Sequence, residues 1–468
     1  MNCLFVIMGA SGDLTKKKLI PAIYHLLKNK EIQNFAIIGI SRQDFTTDSL
    51  IKFYKPYVKN SDPKIWDEIK KRIYYFKADF NEDKKFHELA VLMKKTESKH
   101  NLSGNRLFYL ATLPEHFELI AHQLSKHKLA PQNKTWSRVV FEKPFGNDLK
   151  SAIKLNNCLK RVFKEDQIYR IDHYLGKELV QNISILRFTN TILEPLWNRK
   201  YIDHVQIAIS EDIGVEQRGG FYDKYGALKD VIQNHSLQLL ALTTMESPKH
   251  LTEKHIRDEK VKVLKSTKVK DVSLGQYNGY LKEPKVPKNS KTETFAALKL
   301  NVNNDRWKNV PFYLVTGKFM KEKLASIYVE FKKTPGLMFE NVYDYPSNFL
   351  AIQVQPEEGF YVQINSKSPR TMDIIPINMD FCHSCKFGPN TPEAYETLLF
   401  DVLKGDQSAF IRSDEIEEAW KIIDKIKKPK IQTYKKRGIP NSAKKLIKKD
   451  GKQWHLTINY LSKSNGNG

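Results

Sequence analysis

The sequence LFVIMGASGDL, residues 4–14, decides the fold of this chain. Its five leading apolar residues predict a buried strand, and a helical pattern follows the two glycines. Gly9 and Gly12 permit a tight turn in which the N–H groups of the helix start can face a pyrophosphate. The spacing differs from the common Gly-x-Gly-x-x-Gly, so an ordinary strand-to-helix turn remains an alternative. We predict a dinucleotide-binding turn made of Gly9, Ala10, Ser11, Gly12, Asp13 and Leu14.

The next predicted strand, residues 35–40, indicates which dinucleotide this turn would bind. It ends in Gly39-Ile40-Ser41-Arg42, with no acidic residue at the position where an NAD enzyme holds the ribose 2′-hydroxyl. An arginine at that position suits a 2′-phosphate. The sequence therefore favours NADP, with Arg42 as a binding residue, although an ordinary surface arginine would give the same pattern.

Apolar runs alternate with helical patterns as far as residue 178, which is typical of a parallel sheet built from βαβ units. Beyond that point, apolar strands such as 205–209 and 295–300 are interleaved with longer helices such as 227–245. We therefore predict two domains, which suits a chain of 468 residues. Residues 1–178 form a Rossmann-like dinucleotide-binding domain (α/β), and residues 179–468 form an α+β domain built on a large antiparallel sheet.

The composition limits the classes of function. The formal net charge is +24, from 77 basic and 53 acidic residues, but the lysines are spread along the whole chain. This pattern favours solvated lysine-rich faces and anionic small ligands over nucleic acid, which we exclude as a partner. We also exclude a membrane, because there is no apolar run of about 18 residues. The first eight residues lack a basic segment typical of a signal peptide, and the four cysteines suit a reducing compartment, so a cytoplasmic location is expected.

Two further stretches contain candidate functional residues. His173 and Lys177 are four residues apart, so they share one face if the segment is helical; they could then hold a phosphate, or they could be an exposed pair. His235 lies in a predicted helix with an apolar face, where a histidine is either a core residue or a catalytic base. Spacing alone decides neither case.

Six motifs, in the same order along the chain, resemble those of the glucose-6-phosphate dehydrogenase family. They are GASGDLTKKKLIP (9–21), FEKPFGNDL (141–149), RIDHYLGKE (170–178), GGFYDKYGALKDVIQNHSLQLL (219–240), KTETFAALKL (291–300) and GDQSAFIRSDEIEEAW (405–420). The resemblance implies an enzyme that oxidises C1 of glucose 6-phosphate to 6-phosphoglucono-lactone with NADP, the first step of the oxidative pentose phosphate pathway. It also implies a homodimer, or a dimer of dimers, formed through the large sheet.

The resemblance assigns roles to single residues. It implies that His235 is the general base and that Asp172 hydrogen-bonds its imidazole. It implies that His173, Tyr174 and Lys177 hold the 6-phosphate and that Lys143 contacts both coenzyme and sugar. Further substrate positions are Glu211, Asp230, Lys318, Lys323 and Gln355. No metal is expected, because the nicotinamide accepts the hydride and the histidine accepts the proton.

Some positions depart from the family pattern. Thr15 and Phe117 are mild changes, whereas Lys323 replaces a common arginine and loses its bidentate geometry. Val315, Leu324 and Gln353 stand where members with a second, structural NADP have basic residues. We therefore expect no second NADP site.

Two alternatives to this function remain from the sequence. They are a dehydrogenase acting on another sugar with NADP, and a non-enzymatic anion-binding protein on the same fold. A separate motif, Cys382-His383-Ser384-Cys385, lacks the second ligand pair of a structural zinc site. We expect a pair of free thiols there.

Overall fold

The computed structural model describes residues 1–132, 134–334, 345–371, 373–388 and 392–457. Its strands are β1 (Asn2–Met8), β2 (Asn34–Ser41), β3 (Ile73–Lys77), β4 (Arg106–Leu110), β5 (Ser137–Phe141), β6 (Ile168–Arg170), β7 (Ile202–Ser210), β8 (Thr267–Tyr277), β9 (Phe295–Val302), β10 (Pro311–Gly317), β11 (Leu324–Phe331), β12 (Phe349–Gln355), β13 (Gly359–Lys367), β14 (Ile374–Cys382) and β15 (Gln432–Tyr434).

Its α-helices are α1 (Ile20–Lys28), α2 (Thr47–Tyr54), α3 (Pro63–Lys70), α4 (Asp83–Lys99), α5 (Phe117–Lys126), α6 (Leu149–Val162), α7 (Glu178–Phe188), α8 (Gly219–Tyr222), α9 (Leu237–Thr244), α10 (Glu253–Ser266), α11 (His383–Phe387), α12 (Ala394–Lys404), α13 (Ser413–Asp424) and α14 (Asn441–Lys448). Two π-helical segments, Thr15–Leu19 and Leu228–Ser236, directly precede α1 and α9. No helix in the described ranges is both long and apolar enough to cross a bilayer.

The chain forms two compact units. The first unit comprises Met1–Glu178, Leu251–Arg257 and Pro392–Glu417. The second unit comprises Leu179–His250, Asp258–Thr391 and Glu418–Gly468. The chain therefore returns twice to the first unit after residue 178. The division into domains 1–178 and 179–468 remains a prediction.

The first unit contains a six-stranded sheet in the order β3-β2-β1-β4-β5-β6, with every pairing parallel. β1 is central, and its last six residues are buried. Parallel strands covered by helices on both faces need continuous apolar runs, which explains why residues 4–8 carry no polar side chain. The Rossmann-like fold predicted from the sequence is confirmed.

The second unit contains a nine-stranded sheet in the order β14-β13-β12-β11-β7-β10-β9-β8-β15. Among its described pairings, β7 with β10 and β8 with β15 are parallel, and the others are antiparallel. The α+β class and the large, mostly antiparallel sheet are therefore confirmed. The register brings the ends of β7, β10 and β12 and the start of β11 to one edge of this sheet.

Candidate active site

The predicted coenzyme turn lies at the carboxyl end of β1, the usual ligand-binding edge of a parallel sheet. Gly9 has φ +97°, and a Cβ atom there would lie 2.3 Å from the carbonyl oxygen of Ala111. The N–H groups of Gly9 and Ala10 both donate to the carbonyl of Ile40 at the end of β2, at 2.9 and 3.0 Å. Only glycine fits the first position, because both its backbone angle and its close approach to β4 exclude a side chain.

The side chain of Asp13 links the glycine turn to the helical segment that follows it. Its two carboxylate oxygens pair with Lys16 and Lys17, each at 2.8 Å. Hydrogen bonds from Lys16 and then Lys17 lower the pKa of Asp13 to about 2. The hydroxyl of Thr15, a departure from the family pattern, donates to the carbonyl of Gly9 at 3.0 Å. These contacts hold the glycine turn in one conformation without occupying its outer face.

Arg42 follows the last residue of β2, as the sequence predicted. Its side chain is 69% exposed, and its Nη1 lies 3.7 Å from the carboxylate of Asp79, beyond β3. The guanidinium is thus available to a ligand but has an acidic neighbour that sequence analysis did not identify. Asp79 is far from Arg42 in the sequence, and only the pairing of β2 with β3 brings the ends of these strands together.

Lys143 is the second residue after β5, which ends at Phe141. The preceding residue, Glu142, accepts a hydrogen bond from the hydroxyl of Tyr109 at 2.6 Å and others from Tyr395 and from the backbone N–H of Lys143. A second turn follows, in which Gly146 has φ +78° and a Cβ atom would lie 2.6 Å from the backbone nitrogen of Ala152 in α6. The backbone around Lys143 is therefore closely constrained.

The motif at 172–178 is a pair of turns, and the helical alternative considered for His173 and Lys177 is wrong. The N–H of Leu175 donates to the carbonyl of Asp172 at 3.0 Å, and the N–H of Lys177 donates to that of Tyr174 at 3.1 Å. α7 begins only at residue 178. The turns still gather the predicted phosphate ligands: the rings of His173 and Tyr174 lie 5.0 Å apart, and the Lys177 ammonium lies 5.9 Å from the Tyr174 ring.

α12, which returns to the first unit late in the chain, supports both motifs. A Cβ atom on Gly176 would lie 2.6 Å from Leu398, so the turn packs directly against this helix. The hydroxyl of Thr397 donates to the carboxylate of Glu178 at 3.0 Å. Tyr395, in the same helix, donates to Glu142. This role of α12 could not be predicted, because no local pattern shows which distant motif a helix will contact.

In the second unit, several predicted substrate residues lie at one edge of the nine-stranded sheet. Glu211 follows β7 and Lys318 follows β10, and the two strands are parallel neighbours. The Lys318 ammonium lies 2.6 Å from the carboxylate of Glu211, with the two side chains 10% and 35% exposed. The backbone of Lys318 is held by its N–H to Thr294 and by its carbonyl to Tyr434. The structure therefore brings these two residues together.

Lys323 and Gln355 lie at the same edge of this sheet. Lys323 is exposed in the turn that precedes β11, and Gln355 is the last residue of β12, paired with Ala325. Lys323 is exposed and Gln355 is half-buried, so both side chains are accessible to a ligand at this edge.

Asp230 and His235 lie in the π-helical segment 228–236, which packs on this sheet and continues into α9. His235 is only 2% exposed. π-helical turns often occur at functional sites, since the wider turn changes which side chains share a face. The segment was predicted as part of one helix, 227–245, and its π-helical geometry has no signal in the hydrophobic pattern.

Tyr222, which was not predicted from the sequence, lies close to Lys318 and to the acidic residues of this cluster. Lys318 is 5.3 Å from its ring. Burial first, and then the charge of Asp230 and those of other acidic residues including Glu211, raise the pKa of Tyr222 well above its ordinary value. A neutral phenol therefore lies among the proposed sugar-binding residues and can donate a hydrogen bond. The motif 219–240 contains it, but its role depends on contacts that only the fold supplies.

One expectation about cysteine is corrected. Cys382, the last residue of β14, and Cys385 were expected to be free thiols, but they form a disulfide. The N–H of Cys385 also donates to the sulfur of Cys382. Cys3 and Cys158 are free. Cys385 lies in α11, three residues beyond Cys382, and this short separation places the two sulfurs within bonding distance.

A glycine turn at the carboxyl end of a central parallel strand is typical of nucleotide-dependent dehydrogenases. Two family models match the chain: "Glucose-6-phosphate dehydrogenase, NAD binding domain" over residues 6–182 and "Glucose-6-phosphate dehydrogenase, C-terminal domain" over residues 184–455. The chain belongs to the glucose-6-phosphate dehydrogenase family, and it is an oxidoreductase that acts on a CH–OH group with NADP.

Named relatives support this assignment. The chain is 41% identical to glucose-6-phosphate 1-dehydrogenase of Bacillus subtilis, over 97% of this chain and 98% of the relative. It is 40% identical to the Chlamydia pneumoniae enzyme of the same name, over 97% and 96%. A solved glucose-6-phosphate dehydrogenase in complex with its substrate glucose-6-phosphate superposes with a TM-score of 0.91, at 34% identity over 97% of this chain and 98% of that one.

Proposed function

We propose that this enzyme oxidises C1 of glucose 6-phosphate to 6-phosphoglucono-lactone and transfers the hydride to NADP. The observation that carries this proposal is the cluster of His173, Tyr174 and Lys177 in the two successive turns of residues 172–177. A histidine, a lysine and a phenol on one short segment suit a phosphate, and a sugar without a phosphate would make no use of them. The solved glucose-6-phosphate dehydrogenase in complex with its substrate glucose-6-phosphate supports the same substrate.

The residues of the coenzyme turn fit a dinucleotide. Gly9 cannot carry a side chain because a Cβ atom would meet Ala111, so the chain can turn sharply at the carboxyl end of β1, where parallel sheets usually bind their ligands. Arg42 would hold the 2′-phosphate, and Lys143 would contact the coenzyme and the sugar. Bound NADP supplies the hydride acceptor, and the chain supplies binding, orientation and proton transfer.

We assign the proton transfer to His235, as the general base for the C1 hydroxyl, with Asp172 as the carboxylate that stabilises its charged imidazole. Both are almost completely buried, at 2% and 1% exposure. Burial removes competing water, so a carboxylate partner gains importance for a histidine that must become charged. The N–H of Tyr174 donates to Asp172 at 3.0 Å and helps to fix the orientation of that carboxylate.

We assign sugar recognition to the edge of the large sheet. Glu211 and Asp230 would accept hydrogen bonds from sugar hydroxyls. Lys318, Lys323 and Gln355 would donate to oxygens of the substrate. Because Lys318 already pairs with Glu211, substrate binding would add to an existing polar cluster and would not have to form it.

One assay tests the proposal: reduction of NADP or NAD by the purified enzyme, with glucose 6-phosphate or glucose as substrate. We expect rapid reduction of NADP with glucose 6-phosphate and little with glucose. Equal rates with the two sugars would support a dehydrogenase of another sugar. No reduction with any combination, despite binding of glucose 6-phosphate, would support the non-enzymatic alternative.

We further propose that the chain forms a homodimer or a dimer of dimers through the large sheet. Ile375, Ile377 and Met379 alternate along β14 and are 41–49% exposed, which gives this part of the sheet an apolar face. Light scattering after size-exclusion chromatography tests this proposal.

A cytoplasmic location and a place as the first step of the oxidative pentose phosphate pathway also remain proposals. Cell fractionation and metabolite labelling in a deletion strain test them.

A further inference from the structure

The carboxylate of Glu142 accepts hydrogen bonds from three donors at the end of β5. The hydroxyl of Tyr109 donates at 2.6 Å. The hydroxyl of Tyr395 and the backbone N–H of Lys143 also donate to this carboxylate. Nothing in the proposed mechanism uses Glu142, although it directly precedes a residue that the mechanism needs.

These donors come from three separate parts of the first unit. Tyr109 is in β4, where it is paired with Val140 of β5, so its side chain lies on the same face of the sheet as that of Glu142. Tyr395 is in the first turn of α12, more than 250 residues further along the chain. A carboxylate that is contacted by β4, α12 and its own strand end has little freedom to move.

The titration of these groups is consistent with that geometry. Burial raises the pKa of Glu142, while the hydrogen bonds from both phenols and the charge of Lys143 act in the opposite direction. Burial and the nearby carboxylate raise the pKa of both Tyr109 and Tyr395, so both phenols keep their protons and donate. Neutral donors on an acidic acceptor form the stronger, charge-assisted type of hydrogen bond.

We propose that Glu142, held by Tyr109 and Tyr395, is a positioning residue for Lys143. The carboxylate accepts a hydrogen bond from the backbone N–H of Lys143. The position of Glu142 therefore fixes the conformation of the backbone from which the Lys143 side chain extends. A network with a structural role alone would stabilise the fold without affecting what Lys143 does. This inference rests on the proposed function, because it assumes that Lys143 contacts the coenzyme and the substrate.

The test uses the full-length enzyme and the variants Glu142→Gln, Tyr109→Phe and Tyr395→Phe, each alone and combined with Lys143→Ala. We expect kcat/KM for glucose 6-phosphate to fall by up to about 10²-fold in Glu142→Gln, because small displacements of a positioning group can cost that much. Each phenol variant should show a smaller loss. In the Lys143→Ala background the same substitutions should cause no further loss, since they act through that lysine.

Tyr169→Phe is the matched control. Tyr169 is also a buried tyrosine of this sheet, in the middle of β6, but its ring packs on Phe410. Its replacement should leave kcat/KM as in the wild type in both backgrounds. Thermal unfolding of every variant identifies loss of the fold. If Glu142→Gln does not fold, Tyr395→Phe, at a half-buried position, carries the test.

Losses that persist fully in the Lys143→Ala background would overturn the inference in favour of a structural network. So would variants as active as the wild type. If the proposed function itself is wrong, the result is different, because the wild-type enzyme would then not reduce NADP with glucose 6-phosphate.

Discussion

The two compact units of this chain present their proposed functional residues in different ways. In the first unit they follow consecutive strand ends of one parallel sheet, in short motifs such as residues 9–14 and 172–177. In the second unit they come from distant stretches that meet only through the register of a nine-stranded sheet, as Glu211 and Lys318 do.

This difference corresponds to two proposed roles, anion binding and proton transfer. The first unit carries the groups proposed to bind anions, which are a glycine turn, Arg42 and the turn with His173 and Lys177. The second unit carries the proposed base, His235, in a buried π-helical segment. If this division is correct, substitution of these anion-binding groups mainly changes binding, whereas substitution of His235 mainly changes turnover.

The largest effect is expected for His235→Asn. Loss of hydride from C1 is difficult while the hydroxyl keeps its proton, so a general base contributes about 10² to 10⁴ in rate. We expect kcat to fall by that factor while KM for glucose 6-phosphate changes little, because the proposed phosphate ligands remain. Steady-state kinetics at saturating NADP measure both constants.

His122→Asn is the control for this substitution, because His122 is exposed on α5 and has no proposed role. It should leave kcat and KM as in the wild type. A His235→Asn enzyme with near-normal kcat would show that proton transfer is assigned to the wrong residue, even though the family is correct.

The second effect concerns His173→Asn in the first unit. A hydrogen bond to a charged group contributes about 1.5–3 kcal/mol, which corresponds to roughly tenfold to 150-fold in binding. We expect KM for glucose 6-phosphate to rise within that range, with a smaller change in kcat. Inorganic phosphate should also become a weaker competitive inhibitor. Exchanged phenotypes for the two histidine variants would reverse the roles of the two units.

A smaller effect is expected for Arg42→Ala, since this side chain is largely exposed and its interactions are screened by solvent. KM for NADP should rise by roughly tenfold, while KM for NAD should change much less because NAD has no 2′-phosphate. Arg161→Ala, at an exposed position in α6, is the matched control. Equal effects on the two coenzymes would remove the basis for NADP selection by Arg42.

Much of the first unit could be predicted because its information is local. Buried parallel strands require continuous apolar runs, so residues 4–8 and 35–40 were recognisable, and the helical patterns between such runs indicated a parallel sheet. The return of α12 to this unit could not be predicted. That contact depends on residues such as Gly176 and Leu398, which are far apart in sequence and carry no local signal of their proximity.

The candidate site shows the same limit. Gly9 could be identified because a positive φ beside a neighbouring strand requires glycine. The pairing of Lys318 with Glu211 and the neutral phenol of Tyr222 could not, because they depend on long-range strand pairing. The turn at His173 was uncertain for a related reason: spacing of four residues suits a helix, and nothing in that spacing shows that the segment forms turns.

The last prediction is that the second unit binds no second NADP molecule. Val315 and Leu324 are each 1% exposed and belong to an apolar core cluster. Gln353 is fully buried, and its side-chain amide donates to the carbonyl of Glu357 at 3.0 Å. Replacing three basic side chains by these residues leaves the corresponding part of the sheet as closed packing, without charges that could neutralise phosphates.

Calorimetric titration of the enzyme with NADP should therefore give one site per chain. Two sites per chain would contradict this prediction. A second dinucleotide could then lie in a separate cavity of about 660 Å³, which is lined by Lys321, Lys435, Arg437 and Lys444. Four cations around one cavity could bind an anion even though the three buried positions cannot. Arg437→Ala distinguishes the two cases: it should leave a stoichiometry of one unchanged, whereas a stoichiometry of two that falls to one would place a second dinucleotide in this cavity.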